Sequence, residues 1–476
     1  MEQGSIQRLI RVFMAIADEK RLSCECGDLE RIAVLVHRVM SYQSREFHTL
    51  EHVFGFLDEG SGLHRDPELV LAAIFHDLIY YQVDDGVTPE IESLLDDYLE
   101  LREGQVFLRS TVSPEDLPFR VTRALFGFEA GRAVQSFGGL NEFLSTLVML
   151  RLLVDHFPLA ELLAAAACIA ASQPFRGPDA QGRSMAALLE RRLAAIAESE
   201  RLILDQAALQ AMIHRAVAFA NADVRDFRLD DPARFLSNTW KLLPESNAPL
   251  RRHGAFSIVE YRQALQKMLA FFRHLDPATI FHDYRGVPSA GELEALEATA
   301  RRNLACGRAY LRAKLLAVGL LEAVALVSGG DAPMALFMGE VPERPHEGAD
   351  PPQGEAVPRE TLMSYLPERP APARLHTRHA VYRLLKDGRL EASSFDLKNS
   401  PLALYLYHRL EPAAWIERVK TSELFFSGDR SAEEFLLGFA PALRMELFEA
   451  CASMVPTRRR PLAAWLAAHD APDSVA

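Results

Sequence analysis

The chain has 476 residues, which is too long for one compact core, so we expect two or three domains. Hydrophobic residues make up 49% of the chain and charged residues 25%, a composition that excludes a disordered protein. The formal net charge of −13 disfavours long nucleic acid as a partner, because neutralising phosphates needs a basic surface. A small anionic ligand held by a metal and a few arginines is compatible with this charge.

Helical periodicity dominates the sequence and predicts an all-α fold. Apolar residues recur at helical spacing from the first segment onward, as at residues 9–16, and alternating strand patterns are nearly absent before residue 340. Residues 292–327 predict one long helix, or two with a bend at Gly307 or Gly319. Helix-start signals precede several periodic segments, at Ser113, Asp231 and Ser289.

One stretch interrupts this pattern. Residues 341–374 are rich in Pro, Gly and Glu, which predicts a linker. We therefore predict a catalytic domain over 1–245, a helical extension over 246–340, this linker, and a small, mostly helical C-terminal domain of unassigned role over 375–476.

The five cysteines are scattered and odd in number, which favours a reducing compartment over a disulfide framework. Cys24 and Cys26 form a C-x-C pair with no second pair downstream, so a zinc site there is disfavoured. The most apolar stretches are short and interrupted by charges, which predicts no membrane span. We expect a soluble, cytoplasmic protein that does not bind membranes.

The chemistry concentrates in one short window. In SREFHTLEHVFGFLDE, His48 and His52 are four residues apart, so a helix there would place both imidazoles on one face. In LVLAAIFHDLIYY, an apolar helix ends at His76 and Asp77. Such a core-like helix would bury two polar groups without reason unless they bind something. Imidazole with carboxylate suits a divalent transition metal.

These two segments resemble the H…HD…D signature of the HD superfamily, which comprises all-helical, metal-dependent phosphohydrolases and phosphodiesterases. FHTLEHV with AAIFHDLIY is most similar to a group of predicted HD phosphohydrolases, and the first segment is similar to the YHN-x-x-HA motif of cyclic-nucleotide phosphodiesterases. The resemblance covers about residues 40–86 and implies an HD-domain helical bundle. It also implies that His48 is the general acid and that His52, His76 and Asp77 hold the metal.

The resemblance further implies one more ligand, an Asp on a later helix. Asp223 and Asp155 are the candidates, and Asp223 is preferred because small residues surround it at the end of an amphipathic helix. Two-metal members have another His soon after the HD pair, whereas this chain offers only Asp84 and Asp85. We therefore expect a mononuclear site for one divalent ion, which is Mn, Fe, Co, Ni, Zn or Mg.

The expected function is a phosphomonoesterase or phosphodiesterase acting on a nucleotide or another small phosphorylated substrate. In that chemistry Asp77 would position or deprotonate water, and His48 would protonate the leaving group. Arg45, one turn before His48, and Arg176, in a Pro-containing break, are predicted to contact the phosphate. The alternative is a non-catalytic HD scaffold that binds metal or nucleotide and signals through its C-terminal half. A homo-oligomer is also compatible with the sequence.

Overall fold

The computed structural model describes residues 4–22, 25–58, 63–135, 138–252, 254–339, 360–368 and 380–469. Within them the protein is an all-α fold with one small sheet, as predicted. Most of the predicted linker, and also Cys24, lie outside the described residues. A search of the described helices finds none with the length and apolar character needed to cross a bilayer.

The chain forms two compact units that are not contiguous in sequence. The first contains Met1–Arg228 and Leu275–Arg301, and the second contains Leu229–His274 and Arg302–Ala476. The predicted boundaries at residues 245 and 340 therefore differ from the observed division. The physical reason is that short Pro- and Gly-containing breaks recur within residues 229–301, as at 244–254 and 285–291, so composition alone does not mark the positions where the chain changes unit.

Among its described residues up to Arg228, the first unit contains ten α-helices and the small sheet. Its elements in chain order are α1 Ser5–Lys20, α2 Cys26–Met40, α3 Leu50–Leu57, α4 Pro67–Phe75, α5 Pro89–Leu95, β1 Leu99–Arg102, β2 Gln105–Leu108, α6 Leu117–Phe126, β3 Ala133–Val134, α7 Leu140–Leu153, α8 Leu159–Ala171, α9 Met185–Ser199 and α10 Gln206–Asp223.

The core of the first unit is built around α8. Residues 162–171 of this helix are all buried, and α4, α7, α9 and α10 pack against it. A helix that is apolar all round needs neighbours on every side, which explains its central place. Each fully buried Leu or Ile contributes about 1.5–3 kcal/mol. Two of these helices, α4 and α10, carry predicted ligands at their C-terminal ends.

A β-hairpin in the first unit was missing from the sequence prediction. Strands β1 and β2 are antiparallel with Leu99 opposite Leu108, and β3 extends the sheet beside β2. The two turn residues Glu103 and Gly104 both have positive φ, 49° and 76°, which is the turn that matches strand twist. Four residues on each side are too few for alternation to stand out from helical periodicity.

The second unit is also helical within its described residues. Its elements are α11 Pro232–Trp240, α12 Leu242–Ser246, α13 Ile258–His274, α14 Ala290–Ser328, α15 Met334–Met338, α16 Ala380–Lys386, α17 Pro401–Arg409, α18 Pro412–Ser427, α19 Ala432–Leu437, α20 Pro441–Met454 and α21 Arg459–His469; residues 290–301 of α14 belong to the first unit.

The predicted helix starts are confirmed with one shift. Asp231 caps α11, and Ser289 opens α14 through reciprocal bonds with Glu292. The helix predicted after Ser113 begins later, because Asp116 is the residue whose carboxylate accepts from the first turn of α6. Carboxylate and hydroxyl caps satisfy backbone N–H groups that would otherwise lack partners.

The predicted long helix is continuous, so α14 is one helix of 39 residues rather than two. Its glycines are points of close packing and not of bending. A Cβ on Gly307 would lie 2.6 Å from the ring of Phe272, and a Cβ on Gly319 would lie 2.7 Å from the ring of Phe426. Both glycines therefore admit an aromatic ring against the helix backbone.

Candidate metal centre

His76 and Asp77 directly follow the buried helix α4. Every residue of α4 from Pro67 to Phe75 is buried, and Asp66 caps its first turn. His76 is the C-cap residue of α4, and its backbone N–H still donates to Ala72 O. The prediction of an apolar helix that ends in His-Asp is therefore confirmed.

His52 lies on α3, whereas His48 precedes that helix. Because α3 begins at Leu50, the two histidines do not share a helical face as the spacing suggested. The His48 ring stacks on Tyr80 with 4.2 Å between centroids, and its centroid is 6.3 Å from that of His52. His48 thus stands beside the other imidazoles without joining their group of ligand atoms.

Asp223 is the last residue of α10, and the fold brings it to the two histidines on α3 and α4. Its Oδ1 lies 3.4 Å from His52 Nε2 and 3.5 Å from His76 Nε2. Asp155, the alternative, is exposed and belongs to no such group. The geometry therefore favours Asp223 over Asp155.

Three potential ligand atoms converge in this place. Those of His52, His76 and Asp223 all lie within 4.8 Å of one another. Asp77 is not part of this mutual group, but its Oδ2 lies 2.9 Å from His76 Nε2 and 3.6 Å from His52 Nε2. Two imidazole nitrogens and one carboxylate oxygen therefore converge, and the carboxylate of Asp77 lies beside both imidazoles.

The two Nε2 atoms fit a metal because of what surrounds them. The His76 Nδ1 is 2.9 Å from Ala73 O, and since a carbonyl only accepts, Nδ1 carries the proton. In a neutral ring this leaves the lone pair on Nε2, which is how proteins orient histidine ligands. Both Nε2 atoms, of His52 and of His76, are buried and make no hydrogen bond with described residues.

The charges around the site call for a cation. Burial disfavours a charged imidazole, yet Asp77 and Asp223 outweigh it and raise the pKa of His76 well above its usual value. Burial likewise disfavours both carboxylates, but His76, His48 and His52 hold the pKa of Asp77 far below normal. The histidines His52 and His76 also lower the pKa of Asp223. The negative charges of Asp77 and Asp223 favour a positive charge at this place, which either a proton on His76 Nε2 or a divalent cation would supply.

Sequence reasoning missed the aromatic support of these ligands. Phe56 and Phe219 stack on each other at 5.2 Å, and their centroids lie 5.2 and 5.4 Å from that of His76. Each phenylalanine is four residues from a predicted ligand on its own helix, and this spacing is the sequence signal that could have identified them. The rings fix the imidazole and exclude water from one side of the site.

A second support joins α3 to the segment after α10. Arg225 Nη1 donates to Gly55 O at 2.9 Å, and the guanidinium lies over the Phe56 ring. A Cβ on Gly55 would lie 2.6 Å from Arg225 Nη2, so a larger residue at position 55 would require the guanidinium to move. The contact holds the end of the helix that carries Asp223 against the helix that carries His52.

The prediction that Arg45 contacts substrate is not supported, because its guanidinium is fully engaged within the protein. Its side chain is 0% accessible and bonds both oxygens of Asp84, at 3.0 and 2.5 Å. It also donates to the backbone oxygens of Asp77 and Leu78, at 2.8 and 2.9 Å. Arg45 is therefore a buried clamp on the turn after α4. The position of Arg45 three residues before His48 did not indicate that its side chain would be buried.

Arg176 lies in the loop between α8 and α9 and is half-buried. Burial lowers the pKa of Arg176, and nearby Glu142 opposes that shift. Glu142, in the first turn of α7, was not singled out from the sequence. Burial raises the pKa of Glu142 to about 7, and the charges of Asp77 and Asp223 add to the rise. A carboxyl that titrates near neutrality thus lies within electrostatic range of both the predicted ligands and Arg176.

A repeated tetrapeptide also escaped the sequence analysis. Ile-Phe-His-Asp occurs at 74–77 and again at 280–283. His282 of the second copy exchanges two backbone bonds with the Asn221 side chain near the end of α10, at 2.8 and 2.9 Å. Burial lowers the pKa of His282, and the positive charge of Arg176 lowers it further. The repeated tetrapeptide is the sequence signal that could have singled out His282.

Comparisons with protein-family models, with curated proteins and with solved structures found no match for this chain.

Proposed function

We propose that the protein is a metal-dependent phosphohydrolase acting on a nucleotide or another small phosphorylated substrate. One observation carries the proposal: His52 Nε2, His76 Nε2 and a carboxylate oxygen of Asp223 converge while both nitrogens are buried without hydrogen bonds among the described residues. Buried polar atoms are costly unless something binds them. Imidazole and carboxylate together suit a divalent transition ion.

The proposed division of work follows from position. His52, His76, Asp77 and Asp223 would hold the ion, and a divalent ion supplies Lewis acidity toward water and a phosphoryl oxygen. Asp77 would accept a proton from water or orient it. His48, which lies outside the mutual ligand group, would hold the proton for the leaving oxygen.

The first test is metal content and activity of the purified full-length protein. We expect about one transition metal per chain, lost in His76→Gln and retained in the control Asp155→Asn. Hydrolysis of p-nitrophenyl phosphate or its diester should require Mn²⁺, Co²⁺, Ni²⁺ or Mg²⁺ and should disappear in Asp77→Asn. Activity that survives both His76→Gln and Asp77→Asn would contradict the proposal.

His48→Gln separates the proton donor from the ligands. We expect it to keep its metal and to lose turnover by about 10²–10⁴-fold, which is the usual contribution of general acid catalysis. Loss of the metal in His48→Gln would show that His48 is a ligand instead. Full metal binding without hydrolysis of any phosphoester would favour the second candidate, a non-catalytic scaffold that binds metal or nucleotide. A cytoplasmic location and a homo-oligomer stay predictions.

A further inference from the structure

A cavity lies in the first unit, bordered by the C-terminus of α6, the loop after α8 and the start of α9. Its volume of about 440 Å³ is within the size range of small-molecule sites. Three arginines line it, Arg176, Arg183 and Arg192, and we call this cavity the arginine cleft. Apolar residues of α6 and α9, such as Phe126 and Leu188, form much of the remaining wall.

The arginine cleft carries a net positive charge. Asp179 is the one acidic residue among its lining residues, and it is committed to Arg183 through a side-chain bond of 2.7 Å. Asp179 also accepts two backbone N–H groups, from Gln181 and Arg183. Arg176 makes no hydrogen bond or ion pair with any described residue, and Arg192 makes one hydrogen bond there, from Nη1 to a backbone oxygen at 3.1 Å.

The cleft lies in the same unit as the candidate metal centre, and Arg176 connects the two electrostatically. The ring of Phe175 packs edge-on against Phe227, four residues beyond Asp223, with 5.6 Å between centroids. Arg176 follows Phe175 directly, and its charge acts on Glu142, which the charge of Asp223 also reaches. Glu142 therefore lies within electrostatic range of a cleft arginine and of a predicted metal ligand.

Guanidinium groups that are partly desolvated favour a bound anion. Burial lowers the pKa of Arg192, and the neighbouring charges of Arg176 and Arg183 lower it further. An anion in the cleft would relieve this repulsion and would accept paired hydrogen bonds from the planar guanidinium groups. A single carboxylate could accept paired hydrogen bonds from one guanidinium, whereas a chain of phosphates offers enough oxygens for three arginines.

We propose that the arginine cleft binds a phosphoryl group of the substrate other than the one at the metal, so that the substrate is an oligophosphate or a bisphosphate. A nucleoside di- or triphosphate has this chemistry. The assignment of the second group to a substrate rests on the proposed function. The cleft itself needs only its own arginines to bind an anion.

The experiment measures binding of inorganic tripolyphosphate to the full-length, metal-free protein by isothermal titration calorimetry at low salt. We expect binding in the presence of a chelator, and at least tenfold weaker binding in Arg176→Gln and in Arg192→Gln. Arg132→Gln is the matched control, since this exposed arginine pairs only loosely with Glu129 at 3.4 Å. If Arg192→Gln fails to fold, Arg176→Gln still decides, because Arg176 contributes no bond to the described structure.

The outcomes separate the two proposals. Arginine-dependent binding of tripolyphosphate by a protein without hydrolase activity would support the cleft and overturn the proposed function. Metal-dependent hydrolysis together with unchanged tripolyphosphate affinity in both variants would overturn the cleft alone. Absence of tripolyphosphate binding would also overturn it, whatever the hydrolase assay shows.

Discussion

Replacing Arg45 by methionine is expected to destabilise the first unit strongly. The change keeps the apolar stem but removes the guanidinium from Asp84, whose side chain is 1% accessible. A buried charge that loses its partner costs about 3–5 kcal/mol. Two backbone oxygens after α4, of Asp77 and Leu78, lose their donor as well, at distances of 2.8 and 2.9 Å in the native protein.

The assay is urea unfolding of the metal-free protein, followed as a double-mutant cycle with Asp84→Leu. Since the double variant buries no lone charge, its loss should be smaller than the sum of the single losses by about 3 kcal/mol. A loss below about 1 kcal/mol in Arg45→Met, with additive single effects, would refute the clamp. If the KM of a phosphoester substrate rose while stability stayed constant, the substrate contact predicted from the sequence would be the better account.

Three further outcomes are expected. In metal-free protein, Glu142 should lower the free energy of unfolding by about 3 kcal/mol as pH rises from about 4.5 to about 7, because its pKa of about 7 in the folded state lies above the unfolded value. Glu142→Gln should remove that loss, which urea unfolding at pH 5 and pH 8 would measure. An unchanged pH profile in the variant would contradict this prediction. Mn²⁺ at a hundred times its Kd should stabilise the protein by about 2.7 kcal/mol, an effect that Asp223→Asn abolishes and Asp155→Asn retains in thermal melts. Gly307→Ala should destabilise by about 1–3 kcal/mol, since its methyl would lie 2.6 Å from a packed ring, whereas Gly291→Ala on the same helix meets nothing within 4 Å and should cause no loss; equal effects would refute the packing argument.

Much of the fold could be predicted from local sequence. The helix ending at His76 was visible because the seven apolar residues Leu69–Phe75 stop abruptly at two polar residues, and the long helix α14 was visible in its periodicity. The hairpin around Glu103 was not visible, because its strands are four residues long. The division into units escaped too, since tertiary contacts and not composition decide where residues 275–301 pack.

The candidate site was predictable only where its residues are close in sequence. His52, His76 and Asp77 lie within one short window, so their types and spacing sufficed to single them out. Asp223 needed the fold to bring the end of α10 to α4, and sequence could only rank it above an alternative. The burial of Arg45 against Asp84 could not be predicted, because residue spacing does not report whether a guanidinium is buried. Glu142 was missed for the same reason, as its raised pKa comes entirely from tertiary surroundings.

The position of His76 and Asp77 at the end of α4 also matters before the protein is folded. From Leu69 to Tyr81 they are the only two polar side chains in an otherwise apolar and aromatic run. In a nascent or unfolded chain such a run is prone to aggregate, and polar residues inside it act as gatekeepers. Alanine at both positions would leave an uninterrupted, aggregation-prone apolar segment. Loss of soluble expression in that variant could then be mistaken for loss of catalytic activity. Glutamine and asparagine are therefore the informative replacements.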